Sequence, residues 1–295
     1  MSRRILAVIV VAAAIIALYL STLSGSGPVR VRAATTTSLY ATGLLDYLAS
    51  SFSRQHPSIR VEFIAVGSGQ ALRLASRGDA CLVLVHAPSL EKKYINSGVI
   101  VREGFLAYNF FAVVGPSSDP AAVRGAESII DAFKRIYESG ENGRILFISR
   151  GDRSGTHTRE LSIWRLAGLD PRGRPWYLES GQGMAETLVM AEEKGAYTLT
   201  DMGTFLKLKR EGLLPDLEVL YTNVSELINI YSVYLVSSCK GREARGAEMF
   251  ADFILSHQEL VENYGVAEYG AHLFYPANKS PYNLTELWNK LSTLP

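Results

Sequence analysis

Five short polar segments of the sequence could bind an anion. Each is rich in hydroxyl side chains or glycine and lies where a predicted strand ends and a helix begins: residues 34–38 (ATTTS), 66–70 (VGSGQ), 149–157 (SRGDRSGTH), 179–184 (ESGQGM) and 196–201 (AYTLTD). The free N–H groups and the dipole at a helix start favour negative charge. A tetrahedral dianion has only acceptor atoms, so its site needs donors and must keep carboxylates away. Together the segments predict a cleft that encloses a small oxyanion.

The third segment adds positive charge to these donors. The guanidinium of Arg150 can donate to two oxyanion oxygens at once, and Ser154 and Thr156 add hydroxyls at the helix start. The G-x-x-x-x-G-K-[ST] spacing of a P-loop is missing. In the first segment one hydroxyl would suffice to cap a helix, so three threonines followed by a serine favour a binding loop over a plain cap. The Gly-Ser-Gly turn of the second segment is a weak signal alone.

An enzyme is the rival interpretation of the same residues. Asp152, Ser154 and His157 are the residue types of a hydrolase triad, and His86 and Glu160 are also available. A window this short at one helix start is unsuited to the spatial roles of a triad, and the sequence has no G-x-S-x-G elbow. We therefore predict a binding protein and no enzyme. His86 is expected to be hydrogen-bonded structure, and His157 to pack against its own loop.

Composition excludes several classes of protein. The chain has 295 residues, is 47% hydrophobic and carries a net charge of +1, so it has no positive field that would steer it onto nucleic acid. Two cysteines are too few for a disulfide-dense scaffold or a four-cysteine zinc site. We predict no cofactor and no bound metal ion. Cys81 and Cys239 could form a disulfide or remain two buried thiols, and the sequence leaves both open.

Apolar strand patterns alternate with helical patterns along the sequence, and the strands and helices that they predict must position the five segments. Strands are predicted at residues 29–33, 60–66, 81–86, 105–114, 145–149, 196–200, 217–221 and 228–236. Helices are predicted at residues 43–52, 70–77, 158–169, 201–210 and 244–264. Such β-α-β repeats predict an α/β fold with mixed, mostly parallel sheets flanked by helices.

The N-terminal segment predicts export. Two arginines precede residues 5–20, a run of sixteen uncharged and almost wholly apolar residues that is typical of a signal peptide or a membrane anchor. As a helix it would span roughly 24 Å. We favour an uncleaved anchor, with a flexible tether after it, that holds the protein at the cell surface or in the periplasm. Three sequons would permit glycosylation there, at Asn223, Asn278 and Asn283.

Taken together, these segments resemble the tungstate-binding proteins of tungstate ABC importers. The resemblance rests on TTTS, on GSGQAL followed by GDA and LVHAP, on SRGDRSGTH with Glu160 and Trp164, on AGLDPRG and PWY, and on ESGQGM and AYTLTD. It covers about residues 33 to 290. That family lies in the type II periplasmic-binding-protein superfamily, which also holds molybdate and sulfate binders.

The resemblance implies a two-lobed fold with two crossing hinge strands, near residues 107–114 and 229–234. Its expected divisions are residues 1–20 as signal peptide or anchor, 21–32 as linker and start of the first strand, 33–108 plus 230–295 as lobe I, and 109–229 as lobe II. The expected protein is a monomer that captures an oxyanion, most simply tungstate, and delivers it to an ABC permease. A receptor for molybdate, sulfate or phosphate and a signalling domain with the same lobes are the alternatives.

The resemblance also implies a set of ligand-binding residues. By position in the matching motifs they are Thr36, Thr37, Ser38, Ser68, Gly69, Arg150, Ser154 and Thr156. The family's second loop often reads GTG, whereas this chain has GSG, which keeps the hydroxyl and loses a methyl group. The ligand, tungstate or molybdate, would be held through its oxygens and not as a metal ion.

Overall fold

The computed structural model describes residues 27–223 and 226–294. The predicted signal peptide or anchor lies outside the described residues. Within those residues, none of the helices combines the length and the apolar character needed to cross a membrane.

Strands and helices alternate along most of the chain. The strands are β1 (Val29–Thr36), β2 (Ile59–Val66), β3 (Leu82–Val85), β4 (Ile100–Pro116), β5 (Phe147–Ser149), β6 (Tyr177–Glu179), β7 (Thr198–Asp201), β8 (Leu217–Tyr221), β9 (Ile228–Val236) and β10 (Tyr275–Pro276). The helices are α1 (Thr37–Ala41), α2 (Leu44–Gln55), α3 (Ser68–Arg77), α4 (Pro88–Asn96), α5 (Ile129–Glu141), α6 (Gly155–Leu166), α7 (Met184–Lys194), α8 (Met202–Arg210), α9 (Gly241–Ser256), α10 (Glu259–Asn263), α11 (Val266–Tyr269) and α12 (Leu284–Ser292).

The first sheet has the strand order β2-β1-β3-β9-β4-β10. β1 pairs in parallel with both β2 and β3, while β9 runs antiparallel to β3 and to β4. The carboxyl ends of β1, β2 and β3 therefore lie at one edge, where the helices that follow begin. This edge carries the first two polar segments of the sequence.

The second sheet shares β4 with the first. Beyond Phe110 the strand leaves β9 and pairs with β7 and β8, both antiparallel. β5 and β6 pair in parallel, and a single bridge between Phe147 and Tyr197 joins them to the β7 side. We call the first sheet with its helices the first lobe, and β5 to β8, the end of β4 and their helices the second lobe.

Each lobe has its own aromatic core. In the first lobe, the rings of Phe52 and Phe250 meet edge to face at 5.2 Å between centroids. In the second lobe, Trp164 packs on Phe133 at 4.4 Å and lies in one cluster with Trp176. The predicted two-lobed α/β fold with mixed sheets is confirmed. The expectation that the sheets are mostly parallel is wrong: among the described strands, three pairs are parallel and five are antiparallel, because β4 and β9 run against every strand with which they pair.

Several elements differ from the sequence prediction. β1 continues to Thr36, so part of the ATTTS segment lies in the strand. Helices α1, α4, α5, α7, α11 and α12 and strands β6 and β10 were not predicted. The predicted helix over residues 244–264 is divided into α9 and α10, because the backbone leaves the helical conformation at His257 (φ −110°, ψ 50°). At this break the Gln258 side chain donates to Phe105 O at 2.9 Å and accepts from Asn278 N at 2.7 Å.

A disulfide joins Cys81 and Cys239, which settles the question that the sequence left open. Their Cα atoms are 5.3 Å apart although 158 residues separate them in the chain. Cys81 directly precedes β3, and Cys239 follows β9, so the bond ties together two neighbouring strands of the first sheet. Glu243 lies beside the two sulfur atoms, but oxidised sulfur offers no thiolate to a metal ion.

Candidate functional site

The first segment divides its hydroxyl groups between structure and cleft. Thr36 caps α1 by accepting a hydrogen bond of 3.3 Å from Leu39 N. The next two side chains reach other elements: Thr37 Oγ1 accepts from Arg150 Nη2 at 3.0 Å, and Ser38 Oγ lies 3.2 Å from His86 Nε2. The plain helix-cap interpretation therefore holds for Thr36, while Thr37 and Ser38 are turned towards the other segments.

The second segment packs directly against the third. Gly67 precedes α3, and a Cβ atom placed there would lie only 3.2 Å from Asp152 O and 3.5 Å from the Cα of Ser154. A Cβ atom placed on Gly69 would likewise lie 3.4 Å from Arg153 O. The glycines thus permit a close contact between the lobes, with Ser68 buried between them.

The third segment is held in shape by its own hydrogen bonds. Ser154 caps α6 by accepting from His157 N at 3.2 Å, and Asp152 Oδ1 accepts from Ser154 N at 3.0 Å. Arg153 N donates to His157 Nδ1 at 2.9 Å, so His157 packs against its own loop as predicted. Gly151 and Arg153 both have positive φ, at 63° and 59°, which turns the loop sharply around the Arg150 side chain.

Arg150 lies at the centre of the contact and is only 1% exposed. Its guanidinium donates to Thr37 in the first lobe and, within the second lobe, to the carboxylate of Asp152 and to Gln182 O at 3.3 Å. Burial lowers the pKa of Arg150, while the charges of Asp152, Asp201 and Glu186 act in the opposite direction. The fourth segment thus contributes Gln182, and the fifth contributes the nearby charge of Asp201, which also caps α8 by accepting from Thr204 N at 2.9 Å.

Three of the predicted ligand residues have a buried polar atom whose hydrogen-bonding capacity is unused. They are Ser68 Oγ, Arg150 Nη1 and Thr156 Oγ1, and none has a partner within residues 27–223 and 226–294. Leaving such a group buried and unpaired costs about 1–3 kcal/mol. The three atoms come from the second and third segments, in different lobes that touch at this point. All eight predicted residues are therefore gathered at one interlobe contact.

His86 is buried and neutral. Burial lowers its pKa to about 4, and the nearby Arg150 adds to the effect. Its Nδ1 lies 2.8 Å from Asn229 Oδ1, which can only accept, so Nδ1 carries the proton and Nε2 accepts from Ser38 Oγ. His86 is hydrogen-bonded structure, as predicted.

A chain of amides behind His86 was missed by sequence analysis. Asn229 Nδ2 donates to Asn109 Oδ1 and to Tyr231 OH, each at 2.9 Å, and Asn109 Nδ2 donates to Leu273 O at 3.3 Å. Both asparagines are at least 98% buried and lie where β4 and β9 pair beside the junction of the two sheets. A lone asparagine inside the apolar run FLAYNFFAVV was the available signal.

Glu160 holds the start of the third segment in place through hydrogen bonds. Its Oε1 accepts from Tyr177 OH at 2.6 Å and from Trp164 Nε1 at 3.1 Å, and its Oε2 accepts from Ser149 Oγ at 2.7 Å. Burial raises its pKa to about 7 against the opposing effect of these donors. Ser149 Oγ in turn accepts from Gly151 N at 3.3 Å, so Glu160 positions the loop that carries Arg150.

The geometry does not assemble a hydrolase triad. Asp152 bonds to Arg150 and to its own loop, and His157 Nδ1 accepts a backbone N–H. Ser154 Oγ bonds the backbone N–H of His157, whereas a triad needs a bond between the serine hydroxyl and the imidazole ring. The segment supplies donors at a helix start.

Comparison with known proteins places this chain in a family. A profile described as a PBP superfamily domain matches residues 22–258. Tungstate-binding protein TupA of Peptoclostridium acidaminophilum is 39% identical over 249 residues, which cover 82% of this chain and 84% of that protein. The chain belongs to the PBP superfamily and, within it, to the tungstate-binding protein family. This confirms the resemblance seen in the sequence.

Two further relatives support the assignment. A putative ABC transporter anion-binding protein of Haloferax volcanii is 41% identical over 263 residues, covering 86% of this chain and 74% of that protein. The crystal structure of the tungstate ABC transporter from Geobacter sulfurreducens matches with a TM-score of 0.69 and 39% identity, covering 80% of this chain and 98% of that one. The relatives are binding proteins, which confirms that the family is not one of enzymes.

Proposed function

We propose that the protein captures tungstate in the cleft between its lobes and delivers it to an ABC permease. Support for the ligand comes from the relatives named for tungstate binding and from a cleft built of donors. One observation carries the proposal: Ser68 Oγ, Arg150 Nη1 and Thr156 Oγ1, contributed by both lobes, are buried and lack partners among the described residues. A tetrahedral oxyanion between them would use all three.

The hydrogen bonds suggest how each of the eight residues would act. The hydroxyls of Ser68, Thr156 and Thr37 still have a proton to donate, and Arg150 would donate from Nη1. Ser38 directs its hydroxyl proton to His86, and Thr36 is engaged with α1 and Ser38. We therefore expect Thr36 and Ser38 to shape the first loop. Gly69 would contribute a backbone N–H group at the start of α3. The N–H of Ser154 is bonded to Asp152, so Ser154 would contribute its hydroxyl proton at the start of α6.

Closure of the lobes would be the step that selects the ligand. A buried dianion is stable only when its oxygens are hydrogen-bonded, and here the donors are divided between the lobes. We propose that lobe I comprises residues 33–108 plus 230–295 and that lobe II comprises residues 109–229. The protein would be a monomer in which the two lobes move relative to each other about β4 and the chain before β9. A permease that recognises the closed form would then receive only loaded protein.

The place of action would be outside the cytoplasm. The apolar residues 5–20 behind two arginines support export, and we propose that they anchor the protein to the membrane. The disulfide between Cys81 and Cys239 agrees with an oxidising compartment.

The decisive experiment is a thermal-shift and calorimetric titration with tungstate, molybdate, sulfate and phosphate. A ligand that binds only the folded state raises the melting temperature in proportion to RT ln(1+[L]/Kd). We expect a large shift with tungstate. A shift with phosphate and none with tungstate or molybdate would refute the proposal. Equal shifts with tungstate and molybdate would indicate an oxyanion receptor that does not prefer tungstate.

A further inference from the structure

A cavity with one polar end lies behind the contact of the lobes, at the hinge. Its water-accessible volume is about 30 Å³, and it is partly open to solvent. Its walls come from His86 in the first lobe, from Arg159 and Ser162 on α6 in the second, and from Ile228 at the start of β9. Leu291 and Leu294, at the end of the chain's last helix and just beyond it, form the far side.

Arg159 brings to this cavity a positive charge that lies within the influence of Glu226 but forms no ion pair with any described residue. Its Nη2 donates to Glu226 O, while its Nε and Nη1 are buried and without a partner in the part of the chain that the structure describes. The carboxylate of Glu226 is used elsewhere, since its Oε2 accepts from Tyr221 OH at 2.6 Å and from Ile129 N at 3.1 Å. Among the described residues, Arg159 takes part in none of the ion pairs.

Ser162 provides a second, independent sign of a missing partner. It lies one helical turn after Arg159 on α6, is 4% exposed and lines the same cavity. Its Oγ also lacks a hydrogen-bond partner within the described ranges. A buried guanidinium and a buried hydroxyl on one helix face, both unpaired, form a site for an anionic group.

The remaining walls define the chemistry of the ligand. They are mostly apolar, with Phe111, Ile228, Ile230, Leu291 and Leu294 surrounding the polar end. An inorganic dianion would place its charged oxygens against these apolar walls. A carboxylate with a short alkyl tail would match both the polar end and the apolar walls. We propose that this hinge cavity binds a small monocarboxylate, with its carboxylate on Arg159 and Ser162 and its tail against the apolar walls.

The position of the cavity gives the site a second property. A Cβ atom at Gly155 would lie 2.7 Å from His86 O, so the two lobes are in backbone contact along one side of the cavity. The site is therefore complete only when the lobes are closed. A carboxylate bound there would favour the closed form and, by linkage, tighten tungstate binding; this second property rests on the proposed function.

The test uses the full chain in detergent, sodium butyrate as the probe and butyramide as its uncharged analogue. We expect butyrate without tungstate to raise the melting temperature progressively and butyramide to leave it unchanged. Arg159→Gln should weaken butyrate binding at least about tenfold, since it removes a charged donor. The matched control is Arg165→Gln, an exposed arginine on the same helix, which should bind butyrate as the unaltered protein does.

Several results would overturn the site. They are the absence of a butyrate shift in the unaltered protein, equal shifts with butyrate and butyramide, or an unchanged butyrate affinity in folded Arg159→Gln. Should Arg159→Gln not fold, Ser162→Ala replaces it, with a weaker butyrate affinity expected for the same reason. Tungstate titrations in saturating butyrate test the linkage separately, and an unchanged tungstate affinity there would overturn the link to closure alone.

Discussion

Arg150 Nη2 in the second lobe donates a hydrogen bond of 3.0 Å to Thr37 Oγ1 in the first. The bond joins the only guanidinium of the third segment that is buried to a hydroxyl that follows β1, and it crosses the cleft in which we place the anion. Because Thr37 accepts this bond, its own proton remains free for a ligand. Closure of the lobes thus brings the guanidinium of Arg150 and the hydroxyl of Thr37, both hydrogen-bond donors, to the same place.

Replacing Arg150 with alanine should lower tungstate affinity by about 10- to 150-fold, because a hydrogen bond to a charged group contributes about 1.5–3 kcal/mol. Isothermal titration calorimetry measures the change. Arg153→Gln is the matched control, since Arg153 is in the same loop but exposed, and its affinity should stay the same. A loss of less than about threefold in Arg150→Ala would exclude Arg150 from direct contact with the anion.

The substitutions Ser68→Ala and Thr156→Val should separate ligand binding from stability. Each removes a buried hydroxyl that has no partner among the described residues, so the free energy of unfolding of the unliganded protein should not fall. Tungstate affinity should fall by about threefold to tenfold in each. Ser76→Ala, at an exposed position of α3, is the control. If the two variants unfold more easily but bind tungstate normally, these hydroxyls have a structural role and are not ligands.

Glu160 should make stability depend on pH. Its pKa is raised to about 7 in the folded protein from an ordinary value of 4.5, because burial penalises the charged form. Its contribution to stability is complete below pH 4.5 and is lost as pH rises to about 7, an effect of about 3 kcal/mol. Urea unfolding at pH 5 and pH 8 should show a smaller difference for Glu160→Gln than for the unaltered protein.

The control for this pH effect is Glu193→Gln, which changes an exposed carboxylate on α7. It should retain the pH dependence of the unaltered protein. An equal pH dependence in Glu160→Gln would show that Glu160 does not titrate in this range.

Removing the disulfide should lower stability and leave the oxyanion site intact. The bond closes a separation of 158 residues, and the double variant Cys81→Ser, Cys239→Ser should lose about 3–5 kcal/mol of unfolding free energy. Denaturant titration with and without a reductant measures this loss, and the reductant should have no effect on the double variant. A large loss of tungstate affinity in the folded variant would contradict our assignment of the bond to the strand framework of the first lobe.

The sequence predicted which segments lie together between the lobes better than it predicted the hydrogen bonds among them. Such segments are recognisable because strand ends and helix starts leave their signals within a few residues, as in SRGDRSGTH. The partner of each donor is not recognisable in this way. The bond between Asn109 and Asn229 joins residues 120 positions apart, and the sequence contains nothing that pairs them.

Helix ends show the same limit. The pattern of residues 244–264 is helical throughout, yet the structure has two helices there, α9 and α10, separated at His257. Gln258, at this break, is hydrogen-bonded to the distant residues Phe105 and Asn278. Local propensity is a weak guide where a buried side chain has distant partners. Thr36 and Thr37 are neighbours of the same residue type, yet Thr36 caps α1 and Thr37 contacts Arg150. This difference depends on which residues surround each side chain in the folded protein.

β4 is a single continuous strand that belongs to both sheets. The two halves of the molecule are consequently joined by hydrogen-bonded backbone, and any opening must be absorbed as twist near Phe110 and Phe111, where the pairing partner changes. We expect this to keep the opening angle small and the geometry of re-closure reproducible. The bound anion would then dissociate slowly from the closed protein on its own. Its release would require the transporter to open the hinge.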